Sequence, residues 1–333
     1  MTTAKTQNLV AGQASGTLTT ADTFTETLVE QFITEADVTA NTQRSYRNAV
    51  KSLCNFLTSR RVELSETALT DYREFLTNNR TARGAKLYFG VAKHFTKWLA
   101  YRGYICRNFA EFLKTPKVDL TVHVKDALTL SEATEILGTM KTDSEVEARN
   151  RCILAFLLTV GCRVSSLAKL KISDIERRQK VWTAQIFCKG HGSDKTTVII
   201  PDETKKLIDK YLKIRSLRGR INPNEPLFTS LSRRHKKCTP SALTTQTISK
   251  ICKKIFRSSN IDSPRITAHS ARAAFATIAA CDAHVDTETI AAAMSHASTA
   301  TTKIYIKTAR TLENVATRAV ADLIFSNLKG VAA

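Results

Sequence analysis

Residues 266–308 read ITAHSARAAFATIAACDAHVDTETIAAAMSHASTATTKIYIKT. His269 and Arg272 stand three apart, a spacing that places both side chains on one face of a helix. His296 follows, and Tyr305 comes nine residues after it. Two histidines, an arginine and a phenol are the groups a site needs to bind a phosphate and attack it. On one unbroken helix of 3.6 residues per turn, positions nine apart face about 180° away from each other, so His296 and Tyr305 require a break between them. The tract Ser295-His296-Ala297-Ser298-Thr299 supplies one, with Ser298 or Thr299 as cap of the helix that carries Tyr305. Each residue alone has a plainer use: most helical tyrosines are packing or surface residues, and a lone histidine is more often a hydrogen-bonding strut.

The rest of the chain supplies the context that single residues lack. Its 333 residues carry 50 Lys and Arg against 30 Asp and Glu, a net charge of +20 with 43% hydrophobic content. That length suits two domains, and that excess suits a polyanionic partner, with nucleic acid ahead of an anionic membrane. The charge is concentrated. Residues 41–107 hold 13 basic residues and 4 acids, and residues 212–257 hold 12 and 1, which together account for the whole excess. Two separated basic blocks suggest two surfaces meeting one extended polyanion as a clamp; the bland alternative is a solvated basic surface. The eight cysteines form no C-x-x-C pair, which reads as reduced thiols and leaves no metal-ligand spacing. No secretory signal and no run of 18 apolar residues is present, so a soluble intracellular protein, acting where DNA is, is expected.

Residues 1–21 are polar and nearly uncharged and read as a flexible arm. Residues 22–114 read as a helical bundle. Its first helix, about Thr25 to Glu35, has a stripe of Leu28, Val29, Phe32 and Ile33. A second, capped by Asn41 or Thr42, buries Tyr46, Val50, Leu53 and Leu57 and turns Arg44, Arg47 and Lys51 outward. A third opens at Ser65-Glu66 and buries Leu69, Tyr72, Phe75 and Leu76. A fourth, Ala82 to Tyr101, sets Leu87, Val91, Phe95 and Leu99 against Arg83, Lys86, Lys93 and Lys97. Gly103 stops it, and a short last helix is expected to follow. Residues 115–125 contain Pro116, lack periodicity and read as a linker.

The second domain, residues 126–333, opens with a helix start at Leu130-Ser131-Glu132. A strongly apolar helix from Ser144 to Val160 ends at Gly161, which presents Arg163 at its lip. A short helix over Ser165 to Leu170 and a turn at Ser173-Asp174 come next. Two strands, Val181 to Cys188 and Thr196 to Ile200, flank KGHGSDK, whose glycines suit a hairpin between Lys189 and Lys195. From Pro201 the chain reads as successive helices, interrupted by the tract SRRHKKCTP, a loop suited to phosphate that contains Arg233, Arg234, Lys236 and Lys237. The fold expected is mainly α: a helical bundle plus a mostly helical domain with one small β-sheet.

GCRVSSLAKLKISDI resembles the first catalytic box of the tyrosine recombinases, the phage-integrase family. The hairpin lysine, AHSARAAFAT and MSHASTATTKIY resemble that family's β-hairpin lysine, His-x-x-Arg box and His-to-Tyr box, in the same order, across residues 163–305. The N-terminal bundle resembles its core DNA-binding domain. The resemblance implies a site-specific recombinase or integrase that cleaves and rejoins double-stranded DNA, of use to a mobile element that integrates or excises. Tyr305 would attack the phosphate, giving a 3′-phosphotyrosyl link. Arg163 and Arg272 would hold the nonbridging oxygens, Lys189 would protonate the leaving 5′-oxygen, with Lys195 its rival, His269 would assist proton transfer, and His296 would hydrogen-bond the phosphate. No metal and no cofactor is implied. A tetramer on DNA is implied, with room for accessory DNA-bending proteins and no membrane.

The outward basic residues Arg44, Arg47, Lys51, Arg83, Lys86 and Lys93, with the four of the 232–240 tract, are the candidate DNA contacts. Leu312, Val315, Ala319, Leu323 and Ile324 form an apolar stripe that could pack in its own domain or on a neighbouring subunit. Three departures from the family pattern stand out. Ser166 occupies a usually acidic position three after the first arginine, Ser295 replaces the usual glycine before the last histidine, and the usual Leu-Arg of the His-x-x-Arg box reads Ala271-Arg272. Two other readings stay open: a catalytically silent DNA-binding protein on the same scaffold, and a topoisomerase IB-like enzyme that relaxes DNA without pairing sites.

Overall fold

The structure is a computed structural model, and it describes residues 26–118, 126–188, 194–230, 241–296, 298–313 and 320–321. The chain divides into two compact units, Met1–Asp119 and Leu120–Ala333.

Among the described residues, the first unit is built from four helices, α1 (Glu26–Glu35), α2 (Ala40–Arg60), α3 (Glu66–Asn79) and α4 (Ala82–Tyr101). Two of the starts carry an N-cap whose side chain accepts from a backbone N–H: Ser65 from Ala68, and Thr81 from Gly84. The α2 helix starts earlier than Asn41 or Thr42, with Thr39 at its N-cap position. The core joins Leu28, Phe32 and Ile33 of α1 to Val50, Leu53 and Leu57 of α2, Leu69, Tyr72 and Leu76 of α3, and Phe89, Phe95 and Leu99 of α4. Two expected core residues lie outside it: Leu87 is 48% and Phe75 37% exposed. The buried positions of α4 centre on Ala85, Phe89, Ala92 and Thr96, and Leu87, two residues from either of the first pair, points away from that line. After Gly103, at φ 74°, the described residues to 118 form turns and no fifth helix.

The second unit opens with α5 (Leu130–Thr139) and α6 (Glu145–Thr159), each started by a reciprocal capping box: Thr129 with Glu132, and Ser144 with Glu147. Helix α6 is apolar on nearly every side because it is enclosed by its own domain, with α8 (Asp202–Ser216), α9 (Thr245–Ser258) and α10 (Ala268–Cys281) packed around it. Helix α7 (Val164–Ala168) follows the Gly161 turn, and α11 (Thr287–Ala293) and α12 (Thr299–Glu313) complete the described helices.

The sheet is antiparallel with three strands in the order β1 (Ile175–Arg178), β2 (Val181–Phe187), β3 (Lys195–Ile200). Strand β1 was not expected, since its sequence IERR is short and three-quarters charged. It pairs Ile175 with Ala184 and Arg178 with Val181, and the two-residue turn between is closed with Gln179 at φ 52°. Strand β3 pairs Phe187 with Lys195 and Trp182 with Ile200. Residues 189–193, which join these strands, lie outside the described residues. Among the described residues no helix is long and apolar enough to cross a membrane.

Candidate active site

Helix α10 begins at an extended Thr267 and places His269 and Arg272 in its first turns. Arg272 is 2% exposed and is held by backbone: Nη1 donates to the Gly161 carbonyl and Nη2 to that of Met294 at 2.9 Å. Gly161 earns its place twice. Its φ of +64° favours glycine, and a Cβ there would lie 2.5 Å from the ring of Phe275 on α10. Two residues on, Arg163 is the extended N-cap residue of α7, and its Nη1 lies 3.5 Å from the carbonyl of Ser295. One short tract, Met294-Ser295, therefore accepts from both guanidinium groups. Burial, followed by the charge of Arg163, pulls Arg272 down to about 10, so it keeps its charge at neutral pH.

Tyr305 lies on α12 and is buried against Ala273, Ala276, Ala280, Ile290 and Met294. The break expected between His296 and Tyr305 is present: α12 starts at Thr299, and Ser298 Oγ accepts from the Ala300 N–H at 3.2 Å. The Tyr305 hydroxyl is 2.8 Å from His269 Nε2 and also bonds to Arg272. The charges of Arg272 and Arg163 act to acidify this phenol. Burial outweighs them and raises its pKa. At rest the site thus holds a protonated phenol beside an imidazole nitrogen that can accept its proton. The His296 ring lies nearly parallel to that of Tyr305, 6.1 Å between centroids and inclined 15°. Its Nδ1 is 2.7 Å from Thr302 Oγ1, and burial, followed by the charges of Arg272 and Arg163, pushes its pKa down to about 4. Two guanidiniums, a neutral imidazole and a phenol paired with a second imidazole make a cluster whose chemistry suits a tetrahedral anion.

Five expected residues, Arg163, His269, Arg272, His296 and Tyr305, meet at one place. The sixth, Lys189, lies outside the described residues. Its rival Lys195 opens β3, with its ammonium ion-paired to the buried carboxylate of Asp174 and 5.0 Å from the centre of the Phe187 ring. Ser166 is 2% exposed and its Oγ donates to the Phe187 carbonyl at 2.5 Å, a bond that no ionised carboxylate could make.

Of the candidate DNA contacts, Arg44, Lys51 and Arg83 are exposed and Lys86 is half-buried. Arg47 grips Glu30 through Nε and Nη2 at 2.5 and 2.6 Å, and Lys93 donates to the Leu113 carbonyl. Arg233, Arg234, Lys236 and Lys237 lie outside the described residues, as do Val315, Ala319, Leu323 and Ile324. Sequence reading missed Thr302. It is fully buried, and the available signal was its place three residues before Tyr305, on the same helix face. The described cysteines are all free, and burial pushes Cys54 up to about 11 and Cys162 and Cys252 up to about 12. No group of three or more His, Cys, Asp or Glu suited to a metal ion occurs among the described residues.

Residues 126–311 match the phage integrase family. The tyrosine recombinase XerC of Caldanaerobacter subterraneus subsp. tengcongensis is 27% identical over 239 residues, covering 70% of this chain and 62% of the relative. The chain thus spans about three-fifths of that relative's length. The tyrosine recombinase XerA of Pyrococcus furiosus is 26% identical over 298 residues, 89% of this chain and 95% of the relative. Among solved structures, the XerH site-specific recombinase bound to a palindromic difH substrate in a post-cleavage complex superposes with a TM-score of 0.69. It is 20% identical and covers 88% of this chain and 84% of that one, which shows a shared fold.

Proposed function

The chain belongs to the phage integrase family, and from that premise we propose that it is a site-specific DNA recombinase whose nucleophile is Tyr305. The observation that carries the proposal is the 2.8 Å contact between the Tyr305 hydroxyl and His269 Nε2, made beside the buried, charged Arg272. In the proposed reaction the phenol oxygen bonds to a backbone phosphorus as its proton passes to His269. Arg163 and Arg272 hold the two nonbridging oxygens through their planar guanidinium groups, and His296 donates a hydrogen bond to the phosphate. The bond to the 5′-oxygen breaks, and Lys189 gives that oxygen a proton. The 3′-phosphotyrosyl link keeps the phosphodiester's energy until a 5′-hydroxyl attacks in reverse, so the cycle balances without a nucleoside triphosphate.

Double-stranded DNA is the partner that the +20 charge supports. Recombining two duplexes breaks four strands, and each chain supplies one Tyr305, so a tetramer is the assembly this chemistry asks for. Integration or excision of a mobile element is the role proposed for it. A nicked suicide duplex, which loses its 5′-hydroxyl end after cleavage, tests the reading by trapping the adduct. The wild-type chain is expected to become covalently linked through Tyr305, and Tyr305→Phe is expected to bind without linking. An adduct formed by Tyr305→Phe refutes the assignment, and tight binding by the wild type with no adduct favours a silent DNA-binding protein.

A further inference from the structure

His296 faces the site as a neutral ring, and a neutral imidazole carries one N–H. Whichever nitrogen holds that proton donates, and the other accepts. The ring's Nδ1 is 2.7 Å from Thr302 Oγ1. Thr302 has no exposed surface, so its hydroxyl proton cannot be satisfied by water, and among the described contacts its one hydrogen-bond partner is that nitrogen. If Nδ1 held the proton, the Thr302 O–H would be a buried donor without an acceptor, an arrangement that folded proteins avoid. If Thr302 donates, both groups are satisfied.

We propose that Thr302 is the positioning residue for His296: its hydroxyl donates to Nδ1, fixes the ring plane and leaves the proton on Nε2, where it is the hydrogen-bond donor to the phosphate. This rests on the recombinase reading, and it deepens that reading by one residue. Burial and the charges of Arg272 and Arg163 keep the ring neutral, which is why its single proton must be placed rather than doubled. Thr302 and Tyr305 stand three apart on α12, so one helix carries both the nucleophile and the group that orients the donor. The two histidines divide the work: His269 receives at Nε2 from the phenol, and His296 gives from Nε2 to the phosphate.

Two measurements test this on the full chain. The first is the pair of imidazole ¹⁵N shifts of His296 in histidine-labelled protein, assigned by their loss in His296→Gln. The wild type is expected to show a protonated Nε2 and an unprotonated Nδ1, Thr302→Ser to keep that pattern, and Thr302→Val to show a mixture. A wild-type ring protonated on Nδ1, or a Thr302→Val ring unchanged, overturns the proposal. The wild-type spectrum is decisive even if the valine variant fails to fold. The second is the rate of adduct formation on the suicide duplex. Thr302→Val is expected to lose roughly ten- to a hundredfold, as when the group orienting a functional histidine is removed. DNA affinity is expected to stay within about twofold, Thr302→Ser to recover most of the rate, and the valine change to cost nothing further in a His296→Gln background. Equal losses in both backgrounds make Thr302 a packing residue only and overturn the proposal. A wild type that forms no adduct refutes the recombinase reading instead, while the ¹⁵N shifts still judge Thr302.

Discussion

Replacing Ser166 by alanine removes one oxygen, and the structure says what that oxygen does. Its Oγ donates to the Phe187 carbonyl at 2.5 Å, and Ser166 itself is 2% exposed. A buried acceptor that loses its donor costs about 1–3 kcal/mol, and a part-buried strand carbonyl with a second lone pair belongs in the lower part of that range. Ser166→Ala is therefore expected to destabilise the second unit by about 1–2 kcal/mol. Ser166→Asp restores the residue type usual at this position in the family but turns a carboxylate toward a carbonyl oxygen in a dry site. That is expected to cost about 3 kcal/mol or more at pH 7, the scale of a buried charge without a partner.

The assay follows from the placement of the two tryptophans, Trp98 in α4 and Trp182 in β2. In a Trp98→Phe background, fluorescence during urea unfolding reports the second unit alone, from the strand that holds Phe187. The aspartate adds a pH signature. Its folded-state pKa is raised above the unfolded value, so the folded state binds the extra proton between the two, and stability falls as pH rises through that window. Relative to Ser166→Ala, Ser166→Asp should recover as pH drops from 7 toward 5. An unchanged urea midpoint for the alanine variant, or an aspartate variant more stable at pH 7 than at pH 5 on that relative scale, refutes the reasoning.

Three further outcomes are expected. Ser295 combines a φ of 51° with a hydroxyl that is buried and has no hydrogen-bond partner; Ser295→Gly should stabilise the chain by about 1 kcal/mol, seen as a rise in Tm, and a fall in Tm would count against the strain. His296 has its folded pKa lowered to about 4, so the unfolded state binds more protons between there and the ordinary histidine value, and its contribution to stability is full at neutral pH and lost as pH falls. Urea midpoints from pH 7.5 to 4.5 should therefore fall less steeply in His296→Gln than in the wild type, and parallel curves would exclude that contribution. For the hairpin, Lys189→Ala should abolish adduct formation while Lys195→Ala lowers stability and still forms adduct, because the Lys195 ammonium is committed to Asp174; the reverse pattern would exchange their roles.

Much of this molecule could be read from the sequence because helix starts and stops are local chemistry. Ser65, the Ser144–Glu147 box, Gly161 and the break before Thr299 each act within four residues of themselves, and each lies where its pattern predicts. The misreadings have a different cause. Leu87 and Phe75 are apolar and near the right spacing, yet which of two adjacent stripes faces the core depends on the neighbouring helices, which periodicity does not name. Strand β1 escaped because IERR earns its strand conformation from β2 and not from its own residues.

The site divides along the same line. The side chains proposed to react could be picked out in order along the chain, because a tyrosine, two histidines and two arginines are distinct residue types. What aims them could not. Arg272 is aimed by the carbonyls of Gly161 and Met294, and Arg163 by that of Ser295, and every residue in a chain has a carbonyl. The consequence is that a single backbone tract, Met294-Ser295, sets the separation of the two guanidiniums and leads directly into His296. Displacing it would disturb at once the three groups proposed to meet the phosphate, Arg163, Arg272 and His296. The stabilising Ser295→Gly change therefore separates two quantities that usually move together. It relieves a strained φ while loosening the residue whose carbonyl steadies Arg163, so Tm should rise while the rate of adduct formation stays level or falls. A variant that gains both would show that the tract is not what sets the guanidiniums, and that Arg163 is aimed by α7 instead.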